Sequence, residues 1–199
     1  MNLSEVRHHA AERSTFWLIN LLCRTGVTPN TLTLIGLAVS GAAAAVIAKE
    51  YWVWGGVLVL LSGAFDLLDG PLARAKGQTT KFGALLDSVC DRLGEAAVLL
   101  GLLIVYINKD VTWEPLLIYT AFVGSVLVSY LKARAEGLGI ECEVGLFTRA
   151  ERVIALALGL ILTQWIDKAM LVILCILTGL TFVTVLQRLI HVRRANQSI

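Results

Sequence analysis

Six stretches of this chain are rich enough in apolar residues to be read as membrane crossings, and no other feature constrains the fold as strongly. They run Thr31–Ala48, Trp52–Ala73, Phe82–Ile107, Trp113–Leu131, Ala150–Trp165 and Ala169–Ile190. About 20 mostly apolar residues are needed to cover a ~30 Å hydrocarbon core. Backbone polar groups in lipid must be satisfied within the segment, which selects helices. Composition agrees: the 199 residues are 57% hydrophobic and 16% charged, against roughly 45–50% and about 25% in soluble domains. An ordinary water-soluble globule is excluded, as is a disordered or Pro-rich chain, since there are only 3 prolines and no polar tract. The net charge of +2, without basic runs, argues against nucleic-acid binding. Cys23, Cys90, Cys142 and Cys175 have no CxxC spacing and read as reduced packing residues, with no disulfide framework or zinc site.

The expected fold is an all-α integral membrane protein with six transmembrane helices and an N-terminal interfacial amphipathic helix. The chain reads as a single domain over residues 1–199, with an interfacial segment (1–30), a six-helix core (31–192) and a cytoplasmic tail (193–199). The opening MNLSEVRHHAAERST is too charged for the apolar core of a signal peptide. Val6, Ala10, Phe16 and Trp17 suit a helix lying at the interface, and Thr28-Pro29-Asn30 forms the turn that starts the first crossing. With six spans both termini share a side with Arg74, Lys76, Lys81, Lys132, Arg134, Arg149 and Arg152. Of 17 Lys and Arg, only Lys49, Lys109 and Lys168 fall opposite. The positive side is expected to be cytoplasmic, in the cell (plasma) membrane. Tyr51, Trp52, Trp54, Trp113 and Trp165 read as an aromatic belt on the outer side.

Acids sit where lipid is expected. Asp66 and Asp69 are three apart and Asp87 and Asp91 four apart, so each pair shares a helix face. In an antiparallel hairpin turning near Gln78, Asp66 falls level with Asp91 and Asp69 with Asp87. That level is on the order of 10–15 Å below the cytoplasmic helix ends at 1.5 Å per residue. Intramembrane acids are costly, so the default reading is functional. Four facing carboxylates need compensation, and an all-oxygen set suits Mg²⁺ or Mn²⁺ rather than zinc or copper. Gly70 and Gly83 flank the cluster, and Arg74 adds positive charge for a phosphate. The bland alternative pairs the acids with Arg74 and Arg92 to hold the hairpin, but two cations do not neutralise four acids plus Glu95. A cation or proton transporter is the other class. It requires a water path from both sides, and the outer halves of these helices carry no charge.

The pattern Asp66-x2-Asp69-Gly70-x2-Ala73-Arg74-x8-Gly83-x3-Asp87-x3-Asp91 resembles the signature of the CDP-alcohol phosphotransferase family at every specified position. The six-span layout and Thr28-Pro29-Asn30-Thr31 extend the likeness over most of the chain. The resemblance implies a membrane enzyme that moves a substituted phosphate from a CDP-linked lipid to an alcohol and releases CMP. Carried over by position, Asp66, Asp69 and Asp87 become metal ligands, with Asp91 the general base and a possible further ligand. The implied CDP-lipid contacts are Pro29, Asn30, Thr31, Leu32, Asp69, Gly70, Ala73, Arg74, Thr80 and Gly83. A homodimer is implied by the family alone.

Lys132, Arg149, Arg152 and Arg188 are candidates for a basic pocket, which favours an acceptor bearing its own phosphate. Topology and lipid headgroups account for cytoplasmic cations equally well. The stretch YLKARAEGLG…GLFTRAER and Gln187-Arg188-Leu189 resemble the phosphatidylinositol phosphate synthase branch. That likeness implies inositol 1-phosphate as acceptor and CDP-diacylglycerol or a related CDP-lipid as donor. Lys132 and Arg152 would then hold the acceptor phosphate, with Arg188 assisting and Arg149 nearby. Glycerol 3-phosphate, the acceptor of phosphatidylglycerophosphate synthases, is the alternative.

Overall fold

The computed structural model describes residues 18–109 and 111–196, and every regular element among them is helical. A helical stretch at 18–23 is followed by α1 (Pro29–Ile47), α2 (Trp52–Ala75), α3 (Lys81–Asn108), α4 (Trp113–Gly137), α5 (Arg149–Thr163) and α6 (Ala169–Asn196). Most of the expected interfacial helix, including Val6, Ala10, Phe16 and Trp17, lies outside the described residues. Threonines start three of the helices by occupying amide groups that have no partner in the first turn. Thr28 Oγ1 accepts from Thr31 N at 3.2 Å, with Pro29 opening the helix. Thr80 Oγ1 accepts from Gly83 N at 2.9 Å. Thr148 forms a capping box with Glu151.

Among the described residues four helices, α1, α2, α4 and α6, are long and apolar enough to cross a bilayer. Charge holds α3 back, since Lys81, Asp87, Asp91, Arg92 and Glu95 all fall within its first 15 residues. With 15 residues, α5 reaches about 22 Å at 1.5 Å per residue, short of a ~30 Å core. Both nevertheless expose apolar stripes at helical spacing: Leu85, Val89, Leu93, Leu100 and Ile104 on α3, and Ile154, Leu158 and Leu162 on α5.

The expected hairpin of α2 and α3 is wedged apart. Helix α1 packs along both of them, and they scarcely touch each other. Small residues make this possible. Ser40 Oγ of α1 lies 2.6 Å from Ser62 Oγ of α2. On the other side a Cβ at Gly94 of α3 would come within 2.8 Å of Ser40 Oγ, and one at Gly101 within 2.6 Å of the Ala44 carbonyl oxygen. Lipid supplies no hydrophobic drive between helices, so close backbone approach through small residues takes its place. Beyond this trio, α5 bridges α2 and α6, and α6 packs on α4. One apolar core joins Ala43 and Ile47 to Val98, Leu102, Leu160 and Leu174.

The two ends of the bundle are tied differently. At one end Lys109 pairs with Glu50 at 2.5 Å and lies 5.2 Å above the Trp52 ring. Trp52, expected in the aromatic belt, is instead buried against Tyr106, whereas Tyr51, Trp54, Trp113 and Trp165 are exposed. At the other end Lys76 Nζ donates to the carbonyls of Thr25 and Val27 at 2.9 and 2.6 Å. There the connection 138–148 is strapped to one face of α6. Phe147 N donates to Thr184 Oγ1 at 3.2 Å, Leu146 N to Gln187 Oε1 at 3.1 Å, and Arg188 Nε to Val144 O at 2.9 Å. Gly145, with φ 145°, fits where a Cβ would lie 2.7 Å from Thr184 Cγ2.

Candidate active site

Helices α2 and α3, though they scarcely touch, bring carboxylates together. Asp66, Asp69 and Asp87 each place one oxygen within 4.8 Å of the others. Ligands of one octahedral Mg²⁺ are at most about 4.2 Å apart, twice its ~2.1 Å bond length, so small rotamer changes close the set. Two observations fit a hard cation: the donors are all carboxylate oxygens, and Asp87 Oδ1 is buried with no hydrogen-bond partner among the described residues. Asp69 is buried and is oriented from α1, where Thr33 Oγ1 donates to Asp69 Oδ2 at 2.7 Å.

Asp91, expected with the other three, is not one of that set, although it adjoins Asp66. Its Oδ1 meets Arg149 Nη2 at 2.8 Å, and the same guanidinium bonds Asp66 through Nη1. The compensating cation is thus Arg149 from the first turn of α5. It is neither of the two local arginines: Arg92 donates to the Ser88 carbonyl of its own helix, and among the described residues Arg74 forms no ion pair.

Two cavities flank the acids. The first, about 200 Å³, is lined by Pro29, Asn30, Asp69, Gly70, Ala73, Arg74, Thr80 and Gly83, together with Thr33 and Asp87. Gly83 is needed for closeness, since a Cβ there would lie 3.1 Å from Asn30 Oδ1 and 3.0 Å from Thr80 Oγ1. Thr31 and Leu32 do not line this cavity. The Thr31 hydroxyl meets that of Thr28 at 2.8 Å, and Leu32 is buried in the packing. Thr33, on the same α1 face one turn from Pro29, is the residue that sequence reasoning passed over; the i, i+4 spacing from the opening proline was its only signal.

The second cavity, about 560 Å³, is lined by Asp91, Lys132, Arg149, Arg152 and Arg188. Each cation is held differently. Lys132 faces Glu136 at 3.7 Å, one turn on. Arg188 is buried and donates to the Val144 and Val128 carbonyls. Arg152 is buried on Glu95, with Nε to Oε1 at 2.9 Å and Nη2 to Oε2 at 3.2 Å. Asp91 and Arg149 stand between the two cavities, since both also line a narrow pocket with Asp66 and Asp69.

A sequence profile of CDP-alcohol phosphatidyltransferase matches residues 26–194. The chain belongs to that family. A phosphatidylinositol phosphate synthase of Mycobacteroides abscessus is 38% identical over 192 residues, covering 88% of this chain and 82% of that protein. A crystal structure of the Mycobacterium tuberculosis phosphatidylinositol phosphate synthase with CDP-DAG bound superposes with a TM-score of 0.81 at 33% identity. It covers 90% of this chain and 94% of its own. The same Mycobacterium tuberculosis enzyme in complex with manganese and citrate also gives 0.81, at 32% identity over 89% of this chain and 88% of that one. This member of the CDP-alcohol phosphatidyltransferases is therefore a multi-pass membrane transferase of phospholipid biosynthesis, similar to phosphatidylinositol phosphate synthases, with an aspartate triad for its metal.

Proposed function

We propose that this enzyme transfers the phosphatidyl group of CDP-diacylglycerol to inositol 1-phosphate, giving phosphatidylinositol phosphate and CMP. The observation that carries the reading is the second cavity: five cations, Arg92, Lys132, Arg149, Arg152 and Arg188, line a space with only three acids, Asp91, Glu136 and Glu143. A phosphomonoester needs that charge, and a hydroxyl on the same molecule needs the carboxylate. The relatives named phosphatidylinositol phosphate synthase support inositol 1-phosphate over glycerol 3-phosphate as that phosphomonoester.

In this reading Pro29, Asn30, Thr33, Gly70, Arg74 and Thr80 take the nucleotide end of the donor, while its acyl chains stay in lipid. Lys132, Arg152, Arg188 and Arg149 take the acceptor phosphate. Asp91 accepts the proton of the acceptor hydroxyl, whose oxygen attacks the lipid-bearing phosphorus; the anhydride bond breaks and CMP leaves with the electron pair. Mg²⁺ or Mn²⁺ held by Asp66, Asp69 and Asp87 would supply charge neutralisation at the diphosphate. Arg149 releases Asp91 before that proton moves, because a carboxylate held in an ion pair is a poor base.

The apolar stripes on α3 and α5 support six crossings, with the acids buried between helices and the lysine- and arginine-rich end in the cytoplasm. A homodimer in the plasma membrane completes the proposal. The test is CMP release by purified protein with CDP-diacylglycerol and Mg²⁺, offering inositol 1-phosphate, glycerol 3-phosphate, free inositol and serine separately. Release with inositol 1-phosphate alone is expected; release with glycerol 3-phosphate alone would reassign the acceptor.

A further inference from the structure

Glu95 lies one turn beyond Asp91 on α3 and is not among the motif acids. Its carboxylate joins three helices. Both oxygens accept from Arg152 of α5, and Oε2 also accepts from Ser125 Oγ of α4 at 2.5 Å. The Arg152 side chain is 4% exposed and that of Glu95 16%, so the pair is withdrawn from solvent. Arg152 spends Nε and Nη2 on Glu95. Its other terminal nitrogen, Nη1, has no protein partner among the described residues, and Arg152 lines the cavity shared by Asp91, Lys132 and Arg188.

We propose that Glu95, braced by Ser125, is a positioning residue that presents one edge of Arg152 to the phosphate of the acceptor. Packing alone gives little reason for this pair, since a buried ion pair is often no more stabilising than apolar residues of equal volume. Nor are α3 and α5 close-packed neighbours whose contact needs filling; the pair spans the space between them. What bidentate pairing does provide is a guanidinium fixed in plane and direction before the ligand arrives. It also keeps Arg152 off Asp91, the next carboxylate along the same α3 face, which already shares Arg149.

The inference rests on the reading that Arg152 receives the acceptor phosphate, so the test starts from wild-type kinetics in the full-length protein. With CDP-diacylglycerol and Mg²⁺ constant, E95Q is expected to raise the acceptor KM about tenfold and leave the donor KM within about twofold. E95D, which keeps the charge and both oxygens, is expected to recover most of that loss. A carboxylate acting only by charge predicts the opposite sign, because removing a negative group favours an anion; a lower acceptor KM in E95Q would overturn the proposal. So would equal rises in both KM values, or a lower melting temperature with unchanged kinetics. Should E95Q fail to fold, S125A removes only the brace and is expected to raise the acceptor KM about threefold; an unchanged value overturns the idea. If wild type uses glycerol 3-phosphate and ignores inositol 1-phosphate, the acceptor assignment fails. The same variants then test Glu95 with the other phosphomonoester.

Discussion

Asp87 and Asp91 sit one turn apart on α3, yet their surroundings differ. Asp87 keeps an unpartnered buried oxygen beside Asp66 and Asp69, whereas Asp91 turns toward the cationic cavity. Asp91→Asn is accordingly expected to cut turnover by about 10²–10⁴-fold, the usual worth of a general base, while CDP-lipid binding persists. CMP release and calorimetry read the two effects, and unchanged turnover would remove Asp91 as the base. Asp87→Asn is expected to weaken Mn²⁺ binding and, with it, metal-dependent donor binding, measured by titration. Thr33→Val deletes the hydroxyl that aims Asp69. A net hydrogen bond of about 1 kcal/mol corresponds to a donor KM raised roughly fivefold with the acceptor KM unmoved. The aspartates were legible because their spacing is local to two helices. Thr33 was not, and Arg149 was read only as a cation of the acceptor pocket, because each reaches the acids from a helix whose placement the spacing does not encode.

At the scale of elements, the wedge of α1 between α2 and α3 determines how far apart the two acidic faces stand. Level carboxylates in the sequence identify which residues share a depth, but say nothing about a third helix between them. The clue lay in small residues, Gly36, Ser40 and Ala44 on α1 with Gly94 and Gly101 on α3, whose function is visible only once they touch. Gly101→Val pushes a branched side chain against the Ala44 backbone, which has no rotamer to yield. It is expected to destabilise the bundle by about 1–3 kcal/mol, the usual cost of overpacking. The melting temperature in detergent checks this. Gly179→Ala provides the contrast: nothing lies within 4 Å of a Cβ there. The change is expected to be neutral or to stabilise α6 by up to about 1 kcal/mol through helix propensity.

For the whole molecule, hydropathy anticipated the six helices of the core in their order and near their ends. Boundaries shifted where capping decided them; α1, for instance, starts at Pro29 because Thr28 caps it. Span count was harder, since the functional charges that make α3 recognisable are also what lower its hydropathy. Arg149 gives the assembled molecule a property that no single helix has. One guanidinium rests on a carboxylate of the metal triad and on the neighbouring Asp91, so the acidic centre carries a built-in counter-ion. Stripping divalent cations with a chelator is therefore expected to stop CMP release while lowering the melting temperature by only a few degrees, roughly the effect of 1 kcal/mol in a protein of this size. Restoring Mg²⁺ or Mn²⁺ is expected to bring turnover back, and unfolding on chelation would contradict this. Such an enzyme would starve safely: in a cell short of its divalent cation it would idle intact in its membrane and resume work without being made again.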